Sequence, residues 1–150
     1  MNKFKTFIKA FGVVALLGFA ACSKDDAAND ALKDAGLDGN ISTGGDLPAD
    51  FPKADVPTPD LKLETGIGLQ GTYTLRYKAK DAAADVAAYR AELVAAGYTV
   101  TSDFDNLADP AAGANVGFVA TGPKFGVSVS AFGPDAPGGG NYMAVVVGAL

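Results

Sequence analysis

Alternation is clearest in "GTYTLRYKA" (residues 71–79). Tyr73, Leu75 and Tyr77 fall on one side, and Thr72, Thr74, Arg76 and Lys78 on the other. A period of two with one apolar face predicts a half-buried β-strand. Just before it, "LKLETG" predicts a short strand running into a turn at residues 66–68. The period then changes. In "DAAADVAAYRAELVAAG" (residues 81–97), Val86, Tyr89, Leu93 and Ala96 form one helical stripe. Asp81 is placed to cap the first free N–H groups, and Asp85 puts negative charge where the helix dipole favours it. Gly97 supplies the stop, with Tyr98 packing back on the last turn. Alternation returns in "YTVTSDF", which sets Tyr98, Val100 and Phe104 on one face. "NVGFVATG" and "KFGVSVSAFG" meet at a Gly122-Pro123 turn, and Phe125, Val127, Val129 and Ala131 share a face in the second. "NYMAVVVGAL" is a β-branched run after the glycine-rich reversal "GPDAPGGGN".

A strand, a helix and then about four strands predict an α+β domain over residues 61–150. One amphipathic helix would pack on a mainly antiparallel sheet of about five strands. A domain of that size supports a core without covalent staples. Residues 22–60 read differently. The first part is rich in Asp, Ala, Gly and Asn; the second carries Pro48, Pro52, Pro57 and Pro59. Few large apolar residues and stiffening prolines predict a tether, with one short helix near residues 29–35 stopped by Gly36. A flexible coil of that length spans roughly 35 Å.

The start of the chain carries an address. Lys3, Lys5 and Lys9 make a positive region, and residues 10–21, "AFGVVALLGFAA", hold no charge. Such a run is too short to span a bilayer, which needs about 20 apolar residues, and reads as a signal peptide over residues 1–21. Small residues Ala20 and Ala21 precede Cys22, the only cysteine. "FAAC" resembles the lipobox of bacterial lipoproteins, whose usual form is Leu, a small residue, Gly or Ala, then Cys; Phe19 stands where Leu is usual. The resemblance implies a diacylglyceryl group on the Cys22 sulfur and a further acyl chain on the new amino terminus. One chain anchors only marginally, whereas two or three on one residue make release very slow. Ser23 follows instead of Asp, which by resemblance to enterobacterial sorting implies the outer membrane. A lone cysteine excludes an internal disulfide.

A second resemblance covers residues 50–105. "DFPKADVPTPDLKL", "GTYTLRYKA" and "VAAYRAELVAAGY" are similar to small envelope lipoproteins of uncharacterised role. Their helix ends in a pattern matched here by Tyr89, Leu93, Gly97 and Tyr98, with Tyr98 standing where Trp is common. The family implies no catalytic residues.

Charge and composition narrow the rest. Signal removal leaves nine basic residues of twelve against seventeen acidic ones, a mature net charge of −8. That balance disfavours nucleic acid as a partner. The absence of histidine removes the commonest general base and metal ligand, and with it Ser–His and Cys–His nucleophile pairs. Residues 34–42 partly match a calcium loop through Asp34, Asp38, Gly39 and Ile41, but Gly36 and Gly45 occupy positions that need oxygen ligands. Asp103, Asp105 and Asp109 offer three carboxylates in one segment. Arg76, Lys78 and Lys80, with Lys62, offer an anion or an acidic partner a basic strand face. Tyr73, Tyr77, Tyr89 and Tyr98 are spaced to line a cleft between helix and sheet, or simply to fill the core. Asp85 and Glu92 are the one carboxylate pair on the helix, and the glycines at 138–140 precede a strand, without the helix dipole that cradles phosphate.

The expectation is a non-catalytic lipoprotein of the bacterial envelope, held to the membrane through Cys22 and contacting an envelope protein or the cell wall. No catalytic, metal-binding or cofactor-binding residue is assigned. The alternative is a periplasmic lipoprotein that binds a ligand or calcium.

Overall fold

The computed structural model describes residues 25–108, 115–134 and 141–150. Among these the order is α1 (Asp25–Asp34), β1 (Gly39–Thr43), β2 (Lys62–Leu69), β3 (Thr72–Lys78), α2 (Ala82–Ala95), β4 (Thr99–Asp105), β5 (Asn115–Thr121), β6 (Phe125–Phe132) and β7 (Tyr142–Ala149). All seven strands join one sheet in the order β1-β2-β3-β7-β6-β5-β4. Every neighbouring pair is antiparallel. The expected α+β domain of one helix on about five strands is therefore corrected: the described residues make a sheet-dominated fold of seven strands with two short helices. The extra strand β1 comes from the acidic segment, and residues 62–69 form a full eight-residue strand.

Strand β3 behaves as its alternation dictates, with Tyr73, Leu75 and Tyr77 buried and the residues between them exposed. Helix α2 leaves β3 and crosses to the far edge. The Asp81 carboxylate accepts the Ala84 N–H at 2.9 Å, and the Asp85 carboxylate takes the Lys80 and Asp81 N–H groups. Val86, Tyr89 and Leu93 are buried along its stripe, joined by Ala82, while Ala96 is exposed. At its end Gly97 has φ +89° and the Tyr98 N–H returns to the Leu93 carbonyl at 3.0 Å. The core lies between α2 and the central strands, where Phe118, Val129, Met143, Val145 and Val147 are sealed from solvent.

Two local readings change for geometric reasons. Glycines 66 and 68 do not make a turn; the reversal falls at Gln70-Gly71. They sit inside β2 because another segment crosses closely there. A Cβ on Gly66 would lie 2.7 Å from the Pro48 ring. In β4, the register shifts between Val100 and Ser102. This bulge carries Phe104 onto the face opposite Val100, where its ring covers Gly117.

The segment expected to be a tether is built into the fold from Gly39 onward. Phe51 and Val56 belong to the main core, and Pro48 and Pro59 are buried. Residues 46–60 form a strap over the sheet beside α2. At the outer edge of β1, the Asn29 side-chain amide pairs with the Ile41 backbone, accepting its N–H and donating to its carbonyl at 3.1 Å.

Candidate functional site

The four tyrosines come together as their spacing requires, but the chain itself covers them. Tyr73 and Tyr77 rise from β3, Tyr89 from α2, and Tyr98 follows the helix stop; all are buried. Tyr73 donates to the Asp50 carbonyl at 2.9 Å, Tyr98 to the Asp55 carbonyl at 2.9 Å, and Tyr89 to the Pro57 carbonyl at 2.8 Å. Phe51 meets the Tyr73 ring edge-on at 5.3 Å. Lys124 adds an ammonium contact of 2.7 Å to Asp55. The strap thus occupies the space that helix and sheet would otherwise leave open. Tyr77 differs from the other three: its hydroxyl is buried without a hydrogen-bond partner.

Burial pushes the Tyr77 and Tyr89 hydroxyls above the usual tyrosine range. In the folded chain they stay protonated where free tyrosine ionises, at about pH 10. Above that pH the unfolded state holds fewer protons, so stability is full below it and falls as pH rises. Urea midpoints are expected to hold steady from about pH 7 to 9 and to fall beyond about 10, with tyrosinate absorbance appearing together with unfolding. Tyrosinate absorbance at these two positions in the native protein near pH 10 would contradict the burial argument.

The remaining candidates are spent on structure or lie apart. Arg76 bonds Glu64 at 3.3 Å and lies 4.1 Å over the Tyr142 ring, which in turn stacks on Phe132 at 4.6 Å. The Glu64 carboxylate and this ladder of planar groups both engage the guanidinium. Lys62 and Lys78 are register partners, and Lys80 precedes α2. Asp103 pairs with Arg90 at 3.1 Å, and Asp105 accepts the Leu107 N–H at 3.1 Å. Asp109 and glycines 138–140 lie outside the described residues, as does Cys22. Residues 34–42 are the end of α1, a short turn and most of β1, so Ile41 sits in a strand and not in an ion-binding loop. Asp85 caps α2, with Glu92 two turns further along the same helix.

Sequence reasoning missed the partners of the tyrosines, because backbone carbonyls at Asp50, Asp55 and Pro57 leave no residue-type signature. The available signal was Phe51 and Val56, two large apolar residues among prolines. Comparison of the chain with protein-family models, with curated proteins and with solved structures gave no match.

Proposed function

We propose that the chain is a lipid-anchored, non-catalytic lipoprotein of the bacterial envelope, held at the outer membrane through Cys22. It acts by contact with another envelope protein or the cell wall. The observation that carries this reading is the coincidence, within 22 residues, of three lysines, an uncharged run, two small residues and the single cysteine. Two features of the fold support it. Among the described residues, Asp81 and Asp85 are engaged in helix capping, Asp103 in an ion pair with Arg90, Asp105 in a local turn, and Arg76 in an ion pair and stacking. The strap fills the tyrosine layer with the chain's own backbone.

Mass spectrometry of protein purified from membranes is expected to find residues 1–21 removed and acyl chains on Cys22. A Cys22→Ser variant is expected to move from the membrane fraction to the soluble fraction, or to accumulate as uncleaved precursor. An intact Met1 terminus or an unmodified thiol in the mature protein would overturn the proposal.

A further inference from the structure

Little chain separates the proposed anchor from the fold. Only Ser23 and Lys24 stand between Cys22 and Asp25, where α1 begins. Three Cα steps of 3.8 Å reach at most about 11 Å. Helix α1 is itself fastened to the sheet. The Asn29 side chain bonds both the N–H and the carbonyl of Ile41, and Leu32 is 3% exposed. An anchor at Cys22 therefore holds the body on a leash of about 11 Å, not on a flexible coil of roughly 35 Å.

The point where the leash leaves decides which surface meets the membrane. From Asn29 the helix runs on to Asp34, the chain reverses at residues 35–38, and β1 returns to Ile41 beside Asn29. Helix and strand thus run in opposite directions, and Asp25 lies toward the Thr43 end of β1. The register shows what shares that end. Lys62 stands opposite Lys78, Lys78 opposite Tyr142, Tyr142 opposite Phe132 and Phe132 opposite Asn115. This row sets two exposed lysines beside two half-buried, stacked rings. Lysine stems with charged heads, and rings with a polar tip, suit the boundary between lipid headgroups and water. Nearby, Glu64 pairs with Arg76, and Asp81 and Asp85 cap α2, while Asp46 and Asp60 are exposed. These carboxylates offset the lysines, so the leash, more than net charge, holds this end down. The flank along α1 is less suited to lipid: Asp25, Asp26, Asp30 and Asp34 stand there against Lys33 alone, and an anionic lipid surface repels them.

We infer that the end of the sheet bearing Lys62, Lys78, Tyr142 and Phe132 is a lipid-facing surface, resting on the phospholipid headgroups beside the anchor. This rests on the reading of Cys22 as lipidated. The strands stand on the bilayer, and Leu150, just beyond the eight residues of β7, projects about 25 Å further out.

The test uses lipidated protein purified from membranes and returned to vesicles of phosphatidylethanolamine and phosphatidylglycerol that contain a nitroxide-headgroup lipid as quencher. The chain has no tryptophan, so one introduced indole reports alone. Tyr142→Trp places it in the row, Ala31→Trp on the exposed flank of α1, and Leu150→Trp at the far end; Lys78→Trp repeats the row from an exposed position. With about 25 Å between the ends, quenching in the row is expected to exceed that at 150 by about 5-fold, and to exceed that at 31. Lys62→Glu with Lys78→Glu is expected to weaken the quenching of Tyr142→Trp. Equal quenching at 142 and 150, stronger quenching at 31 than in the row, or no effect of the two charge reversals would overturn the inference. Flotation separates this from failure of the anchor. Protein left behind by floating vesicles would remove the anchor and the placement together, whereas floating protein with the wrong order of quenching removes the placement alone.

Discussion

A fragment that begins at Leu61 is expected to be unfolded at room temperature. It retains β2 to β7 and α2 but loses β1 and the strap. Phe51 and Val56, 6% and 1% exposed in the intact chain, are gone, and each contributes about 1.5–3 kcal/mol through burial. The three tyrosine hydroxyls lose acceptors worth about 1 kcal/mol each. The core side chains that the strap covers return to water, and β2 becomes an unpaired edge. The total approaches 10 kcal/mol, comparable with the whole stability of a small domain, about 5–15 kcal/mol. Circular dichroism with urea titration decides the matter. A cooperative transition in residues 61–150 would show that the strap merely lies on a self-sufficient sheet. A fragment starting at residue 25 is expected to keep the transition of the full chain.

Gly117→Ala is expected to cost about 2–3 kcal/mol, in the upper part of the range for overpacking. A Cβ at this position would fall 2.6 Å from the Phe104 ring and would collide with the Val129 carbonyl of β6. The ring can move. The carbonyl cannot move without disturbing a ladder that joins β5 and β6 along their whole length. Gly126→Ala is the control: its nearest neighbour would be a Leu150 side-chain atom at 3.5 Å, ordinary contact distance. Equilibrium denaturation of the two variants should separate them clearly. Similar midpoints would mean that β5 and β6 yield more easily than their pairing implies.

The parts of this molecule that the sequence announces are those with a strict period. β3 buries the side chains that its spacing selects, α2 buries all of its stripe but Ala96, and the helix starts and stops at Asp81 and Gly97 as capping chemistry requires. What escaped has no period. The strap is held by backbone carbonyls and by prolines in close contact, and an acidic, proline-rich composition reads as a solvated linker. The bulge in β4 turns Phe104 away from Val100, and one inserted residue is invisible to a count by twos. The glycines of β2 resemble turn residues until Pro48 is seen lying on Gly66 and Asp50 beside Gly68. Of the candidate residues, the tyrosines were legible as a group. That three of them hold the strap while Tyr77 bonds nothing depends on where carbonyls fall in space, which residue type does not encode.

The amide of Asn29 on Ile41 has a consequence for how these molecules coexist. A sheet has two rims, and each rim is a template on which a neighbour's strand can add. One rim is stoppered by a side chain that mimics a peptide unit. The other, β4, is kinked by its bulge and carries Asp103 and Asp105. Copies crowded together can therefore jostle at high density without zipping into ribbons.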